Sequence, residues 1–187
     1  MAENYWYANL RKSVEEKIRN VPDFPKEGIQ FKDITPIFKD ANLFEKLMSY
    51  YATVLKGKGI NKIVCVDARG FIFGSVLANK MGLPFVIARK AGKLPAKTLT
   101  HTYNLEYGEA TIEMHLDDIG SHDNVLIVDD LLATGGTVDA TANLVEKLGG
   151  KVHGCWFLIE LSFLEGRSKI IKNVSNYDLQ FYSLVDY

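Results

Sequence analysis

Residues 125–137 read Val-Leu-Ile-Val-Asp-Asp-Leu-Leu-Ala-Thr-Gly-Gly-Thr, and this stretch decides the expected fold. Its first four residues are apolar, which is typical of a strand buried on both faces of a parallel sheet. The acid pair Asp129 and Asp130 follows where that strand should end. A turn rich in glycine and threonine comes next, and the pattern of residues 138–148 predicts an amphipathic helix. This order predicts one unit of an α/β sheet.

The turn has the chemistry of a phosphate site, because the start of a helix offers bare N–H groups and the positive end of a dipole. Ligands of open α/β sheets also bind outside the carboxyl ends of the strands. The carboxylates of Asp129 and Asp130 suit sugar hydroxyls, or a metal shared with the ligand. Together these features indicate a ribose 5-phosphate; the alternative is a plain strand–turn–helix joint with acids for solubility. The predicted phosphate-binding residues are Ala133, Thr134, Gly135, Gly136 and Thr137.

The stretch matches neither of two common phosphate motifs, since it lacks the Gly-Lys-Ser/Thr ending of a P-loop and the GxGxxG dinucleotide pattern. It resembles the 5-phosphoribosyl-1-pyrophosphate (PRPP) signature of the type I phosphoribosyltransferase family. The variant with Leu131, Leu132 and Ala133 is similar to that of the members that use adenine. The resemblance covers most of the chain, from Phe24 to about Arg167.

Composition argues against several other classes of protein. The 187 residues suffice for one domain with a sizeable core, and a net charge of −1 gives no field that would favour nucleic acid or an acidic membrane. No apolar run reaches the ~20 residues of a membrane helix, and the N-terminus lacks the pattern of a signal peptide. We therefore expect a cytoplasmic protein. Cys65 and Cys155 lie in apolar runs and are expected to be buried free thiols.

A second predicted strand, residues 62–66, ends at Asp67, Ala68 and Arg69, and a helix should begin directly after them. Arg69 can form bidentate bonds to a phosphate there. The alternative is a local capping pair between Asp67 and Arg69. The run resembles the pyrophosphate loop of the family, in which the peptide bond at the pair matching Asp67 and Ala68 is often cis. The resemblance implies that all three residues bind pyrophosphate and that Arg69 takes part in catalysis.

A third predicted strand, residues 83–88, leads into a basic loop that contains Arg89, Lys90 and Lys93. A solvated run of charges is the common explanation for such a loop. Its position at a third strand end argues for a ligand, because three cations close together would neutralise a pyrophosphate. The loop is similar to the family's Arg-Lys-x-Gly-Lys-Leu-Pro segment, which implies that these three residues hold pyrophosphate.

Alternating residues on both sides of Gly108 predict a hairpin. In relatives this hairpin is a flexible hood that closes over PRPP, and Glu106, Tyr107 and Gly108 match its Glu-Tyr-Gly. The resemblance implies that Glu106 exchanges a proton with the imidazole side of the base and that Tyr107 contacts pyrophosphate. The alternative for Glu106 is an ordinary glutamate that faces solvent.

The segment around Phe31 is the candidate base-binding site. From spacing alone, Phe31 fits equally an aromatic lid that stacks on a flat base and a loop residue that plugs the edge of the core. The segment resembles the Phe-Pro-x-x-Gly-Ile-x-Phe-Lys/Arg-Asp run of relatives that use adenine. That likeness implies stacking by Phe31 and backbone hydrogen bonds from Gln30 and Lys32, with Leu161 as the far wall. Many relatives carry arginine where this chain has Lys32.

Strands and helices alternate from Lys62 onward, which predicts an α/β fold with a doubly wound, mostly parallel sheet of about five strands. A hairpin hood and a small N-terminal lobe complete the type I phosphoribosyltransferase fold that the resemblance implies. We expect a single domain over residues 1–187, with its core at about 40–160, the base-covering segment at about 20–36 and the hood at about 90–116. Helices are expected at residues 4–19 and 42–56, and a loop at residues 21–28.

The resemblance implies transfer of the 5-phosphoribosyl group from PRPP to adenine, which gives AMP and pyrophosphate and serves purine salvage. It also implies a homodimer, and Mg²⁺ held mainly through substrate and water near Asp129 and Asp130. One alternative is a transferase for a 6-oxopurine or another base. Another is a non-catalytic PRPP-sensing regulator, although a DNA-binding domain has neither room nor basic charge here. An ATP-dependent pyrophosphokinase would need a nucleotide site that the sequence lacks.

Overall fold

The computed structural model describes residues 2–104, 108–175 and 178–187, with side chains from Tyr5 onward. The chain divides into two compact units, Met1–Val54 and Leu55–Tyr187. Within the described residues, none of the helices combines the length and apolar character needed to cross a bilayer.

The first unit consists of helices and a small two-stranded sheet. Leu10 and Val14 are buried on the first helix, and the two strands are antiparallel, with Arg19 Nε donating to Asp33 Oδ2 at 3.0 Å. The loop predicted over residues 21–28 is therefore shorter, because its first two residues extend a strand too short to show in the sequence. The elements are α1 (Ala2–Glu15), β1 (Arg19–Pro22), β2 (Gln30–Asp33), α2 (Thr35–Phe38) and α3 (Ala41–Leu55), the last residue of which belongs to the second unit.

The second unit is an α/β sheet, and its parallel core has five strands among the described residues, as the sequence predicts. Their order across the sheet is β10-β9-β7-β3-β4. The two central strands are buried along almost their whole length, which explains their uninterrupted apolar sequence. The five strands are β3 (Lys62–Val66), β4 (Phe85–Lys90), β7 (Asn124–Val128), β9 (Lys151–Glu160) and β10 (Gln180–Asp186).

An antiparallel hairpin extends this sheet beyond β4, and we call it the hood hairpin. Its strands are β5 (Thr98–Asn104) and β6 (Glu109–His115), and β6 pairs with the end of β4. A short strand, β8 (Leu131–Leu132), pairs with β9. The remaining elements are α4 (Gly70–Met81), α5 (Gly136–Lys147), a 3₁₀ turn at Ser162–Leu164 and α6 (Gly166–Asn173).

Both cysteines of the chain lie in the core of this unit. Cys65 and Cys155 lie on β3 and β9 and are both free and buried, which confirms the prediction. Burial raises the pKa of the Cys65 thiol to about 12. Gly74 on α4 leaves room for this thiol, because a Cβ there would lie 2.3 Å from Cys65 Sγ. The two cysteines are thus packing residues.

Candidate active site

The acid pair lies at the carboxyl end of β7, at the centre of the sheet. Asp130 is buried and its Oδ2 lies 2.9 Å from Arg69 Nε, while its own N–H donates to Asp129 Oδ1 at 2.9 Å. Burial raises the pKa of Asp129 well above its usual value, and the charge of Asp130 adds to the effect. Burial also raises the pKa of Asp130, against the positive charge of Arg69. Two carboxylates held this closely are poised to accept donors or a cation.

The loop after β3 meets this pair directly. A Cβ on Gly70 would lie 2.6 Å from the carbonyl oxygen of Val128, so the start of α4 packs against the end of β7. The peptide bond between Asp67 and Ala68 is cis. Asp67 accepts a hydrogen bond from Arg89 Nε at 3.1 Å, and Arg69 pairs with Asp130, so the two charged residues of the loop each reach a different strand end.

The turn after β8 has the backbone geometry of an anion cradle. Gly135 precedes α5 with φ of +79°, a conformation that favours glycine. The turn is packed from behind by α6, since a Cβ on Gly135 would lie 2.7 Å from the carbonyl oxygen of Gly166. Asp129 and the predicted phosphate-binding residues line one cleft, which is formed by Leu131, Leu132, Ala133, Thr134, Gly135, Gly136, Thr137 and Val138. The acid pair and the turn are therefore neighbours.

Comparisons with known proteins identify the family to which this site belongs. The Phosphoribosyl transferase domain family matches residues 37–183. The chain is also 53% identical over 157 residues to the adenine phosphoribosyltransferase of Caldanaerobacter subterraneus subsp. tengcongensis, which covers 84% of this chain and 91% of the relative. The chain belongs to the adenine phosphoribosyltransferase family.

Solved structures of this family share the fold. The crystal structure of adenine phosphoribosyltransferase from Thermoanaerobacter pseudethanolicus is 48% identical with a TM-score of 0.87, and the match covers 95% of this chain and 99% of that one. The adenine phosphoribosyltransferase of Saccharomyces cerevisiae, complexed with D-2,5-dideoxy-2,5-imino-altritol 1,6-bisphosphate and adenine, is 39% identical with a TM-score of 0.87, over 95% and 99% of the two chains. The predicted fold class is confirmed.

The basic segment of this family member differs from the predicted loop. Arg89 and Lys90 belong to β4, because β6 pairs with them and extends the strand, and Lys93 lies in the turn that follows. Arg89 is directed to Asp67 and also donates to the carbonyl oxygen of Lys93 at 3.4 Å. Successive side chains of a strand point to opposite faces, so the exposed side chain of Lys90 points away from that of Arg89.

Glu113, on β6, fixes the turn that carries Lys93, and the sequence analysis missed it. The side chain is buried, and its Oε1 accepts the N–H groups of Lys93 at 2.8 Å and Leu94 at 2.9 Å. Thr98 Oγ1 lies 3.3 Å from Oε2. Burial opposes ionisation, but hydrogen bonds from the backbone of residues 92–94 outweigh it and lower the pKa of the carboxyl. The sequence carries no signal for this role, because Glu113 alternates with the apolar residues Ile112 and Met114 and so fits the polar face of the strand.

We expect Glu113→Gln to lower the free energy of unfolding at pH 7 by about 1–3 kcal/mol, since the amide leaves buried donors without a full acceptor. A carboxyl whose pKa is lower in the folded than in the unfolded state stabilises the fold at pH values above its unfolded pKa. This contribution is lost as pH falls through the folded pKa. Denaturant titrations from pH 7 to pH 3 should therefore show the two proteins converging at acid pH. The control is Glu109→Gln, exposed on the same strand; a difference that does not shrink as pH falls would contradict the account.

The hood hairpin contacts the phosphate turn through Tyr103, a second residue that the sequence analysis missed. The hydroxyl of Tyr103 on β5 lies 2.9 Å from Thr137 Oγ1. Its ring packs on the turn, since a Cβ on Gly136 would lie 3.2 Å from Tyr103 Cδ2. Alternation along β5 placed Tyr103 on one face of the sheet, but the partner strand and helix were needed to show what it touches. Glu106 and Tyr107 lie outside the described residues.

The predicted base-binding residues fall in both units of the chain. Gln30, Phe31 and Lys32 lie on β2. The ring of Phe31 is half-buried and packs edge-on against that of Phe24, with 5.0 Å between centroids. Leu161 is half-buried directly after β9, where its N–H donates to the carbonyl oxygen of Leu132 at 2.9 Å.

Proposed function

We propose that the protein transfers the 5-phosphoribosyl group from PRPP to adenine, giving AMP and pyrophosphate. The observation that carries this proposal is the convergence of three strand ends, where the acid pair, the Arg69 loop and the phosphate turn adjoin. Membership of the adenine phosphoribosyltransferase family supports it, as does the presence of adenine in the solved structure of the yeast relative.

The proposed binding roles follow from charge and from hydrogen-bonding groups. The backbone N–H groups of residues 133–137 and the hydroxyls of Thr134 and Thr137 bind the 5-phosphate. Asp129 and Asp130 accept hydrogen bonds from the ribose hydroxyls. Asp67 and Ala68 shape the pyrophosphate loop. The pyrophosphate itself is held by cations of that loop and of β4 with its turn, namely Arg69, Arg89 and Lys93, helped by Tyr107. Lys90 was predicted to join them, but its side chain points away from that of Arg89, so it is not given this role.

In the proposed reaction, N9 of adenine forms a bond to C1 of the ribose while the bond to pyrophosphate breaks. Positive charge develops on the ribose, as in glycoside cleavage. Arg69 and Arg89 stabilise the charge of the departing pyrophosphate, and the carboxylate of Glu106 accepts the proton that the imidazole side of the base loses as N9 bonds to the ribose. Phe31 stacks on the adenine ring, the backbone of Gln30 and Lys32 bonds its edge, and Leu161 forms the far wall.

Mg²⁺ is the proposed cofactor. The acid pair offers the oxygen ligands that Mg²⁺ prefers, and its two carboxyl groups lie next to each other beside the phosphate turn. The two carboxylates would hold the ion together with substrate oxygens and water. Bound there, Mg²⁺ would neutralise charge on the leaving group.

The base that the enzyme uses distinguishes an adenine phosphoribosyltransferase from a transferase for 6-oxopurines. Adenine, hypoxanthine and guanine should be offered at equal concentration with PRPP, and the nucleotide products separated by chromatography. We expect AMP alone to accumulate; IMP or GMP as the main product would assign the protein to the 6-oxopurine enzymes.

We expect Phe31→Ala to raise the KM for adenine about tenfold, from the loss of ~1–3 kcal/mol of stacking. The KM for PRPP should stay within twofold, and Tm should fall by no more than about 2–4 °C, as for a loss near 1 kcal/mol. The control is Phe85→Ala, which removes an aromatic ring that is 48% exposed. A large fall in Tm with an unchanged KM for adenine would make Phe31 a packing residue.

We further propose that the protein is a homodimer, as the family resemblance implies, and light scattering of the purified protein tests this directly. The cytoplasmic location stays a prediction from the sequence.

A further inference from the structure

A lysine on α6 lies beside the phosphate turn. A Cβ on Gly136, the first residue of α5, would lie 3.5 Å from Lys169 Nζ. The position of α6 is fixed by close backbone contact, because a Cβ on Gly166 would lie 2.3 Å from the carbonyl oxygen of Ala133. Lys169 follows within the first turn of that helix and its side chain is half-buried. The ammonium group is therefore held close to the turn by the fold itself.

Within the part of the chain whose side chains are described, this ammonium group forms no ion pair. Among residues 5–104, 108–175 and 178–187, no carboxylate lies within ion-pair distance of Lys169 and no side chain hydrogen-bonds to it. Glu165 and Lys172 line the same cleft, which also includes Thr134 of the turn. Elsewhere in this unit, Lys62 shows the usual arrangement of a partly buried lysine, since it pairs with Asp123 at 2.7 Å.

The position is electrostatically unfavourable for a cation when the site is empty. The start of α5 carries the positive end of its helix dipole, which repels the ammonium group. Partial burial without a counter-ion adds a desolvation cost. Both costs are reversed when a phosphate dianion occupies the turn, because the anion then lies between two positive groups.

We propose that Lys169 supplies the fixed positive charge that binds the 5-phosphate of PRPP. The inference rests on the proposed function and adds a side-chain cation to a site otherwise made of backbone N–H groups and hydroxyls. The group is a binding residue: it is remote from the bond that breaks, so it acts equally on substrate and transition state.

The test compares Lys169→Met with Lys172→Met, because methionine keeps most of the stem and Lys172 is exposed one turn further along α6. For Lys169→Met we expect the KM for PRPP to rise about tenfold, the worth of one hydrogen bond to a charged group. The kcat and the KM for adenine should stay within twofold, because the lost interaction would bind the substrate and the transition state equally. Lys172→Met should match the parent, and Lys169→Arg should recover most of the affinity.

A second readout separates binding from structural support. Without ligand, Lys169→Met should have a Tm equal to or above that of the parent, whereas a structural lysine would lower it on removal. Inorganic phosphate should raise the Tm of the parent and raise that of the variant less, because stabilisation by a ligand follows its affinity. A KM for PRPP within twofold of the parent, or an equal phosphate-induced shift, would overturn the proposal. A parent that makes no AMP would refute the proposed function instead, and the phosphate shift would still decide the role of Lys169.

Discussion

Asp129→Asn combined with Asp130→Asn is expected to weaken PRPP binding by about 100-fold or more, since each carboxylate loses a charged hydrogen bond worth about 1.5–3 kcal/mol. Adenine binding should stay within threefold, because the pair adjoins the phosphate turn and the Arg69 loop. Calorimetric titration with PRPP and with adenine measures both affinities. Asparagine keeps the shape of each side chain, so the change isolates charge.

The control for this variant is Asp117→Asn, an exposed aspartate in the turn after β6. It should bind PRPP like the parent. Unchanged affinity for PRPP in the double variant would show that the acid pair does not bind the ribose. The pair would then have only a structural role at the end of the strand.

The single change Asp129→Asn should have opposite effects on stability and on binding. The raised pKa of Asp129 means that its ionisation at neutral pH destabilises the fold. The contribution of the neutral carboxyl to stability is fully present below the unfolded pKa and is lost as pH rises through the folded pKa. We therefore expect Tm of the ligand-free variant to exceed that of the parent at pH 7, and the difference to shrink as pH falls towards the unfolded pKa of an aspartate. A lower Tm at pH 7 would show that the charge stabilises the fold.

Glu106→Leu is expected to lower kcat by about 100-fold or more, the usual worth of general acid–base catalysis. Glu106 lies outside the described residues, between β5 and β6, and its assignment rests on the Glu-Tyr-Gly of the hood hairpin. Glu106→Gln can still donate a hydrogen bond but cannot exchange a proton, so its kcat should fall less than that of the leucine variant. PRPP affinity should change little in either, because proton transfer belongs to the chemical step.

Glu109→Leu is the matched control, since Glu109 is exposed at the start of β6 in the same hairpin. Its kcat should equal that of the parent. A kcat for Glu106→Leu within about threefold of the parent would leave Glu106 without a chemical role.

The sequence predicted the parallel core because each of its central strands carries its own signal. The apolar run of β7, the acids after it and the two glycines at the start of α5 are local features, and the structure has them as predicted. The boundary at Arg89 and Lys90 was wrong, because pairing with β6 is a long-range event that composition does not show. The short strands β1 and β2 were missed for the same reason: four residues beside prolines gain strand structure from pairing alone.

The site residues that were predicted follow local features of the sequence, and those that were missed depend on contacts between distant elements. Asp129, Asp130 and Arg69 stand beside strand ends, where ligands of α/β sheets bind, so position in the sequence implied a role. Glu113, Tyr103 and Lys169 act across elements: each reaches a turn that lies far away in the chain. Only the packing of β6, β5 and α6 reveals them.

The most direct test of the account is detection of products from adenine and PRPP, with and without Mg²⁺, by separating nucleotides and measuring pyrophosphate in the same sample. The account predicts AMP and pyrophosphate in equal amounts with Mg²⁺, and little of either when a chelator removes it. PRPP binding without formation of AMP would contradict the account and point to a non-catalytic PRPP sensor.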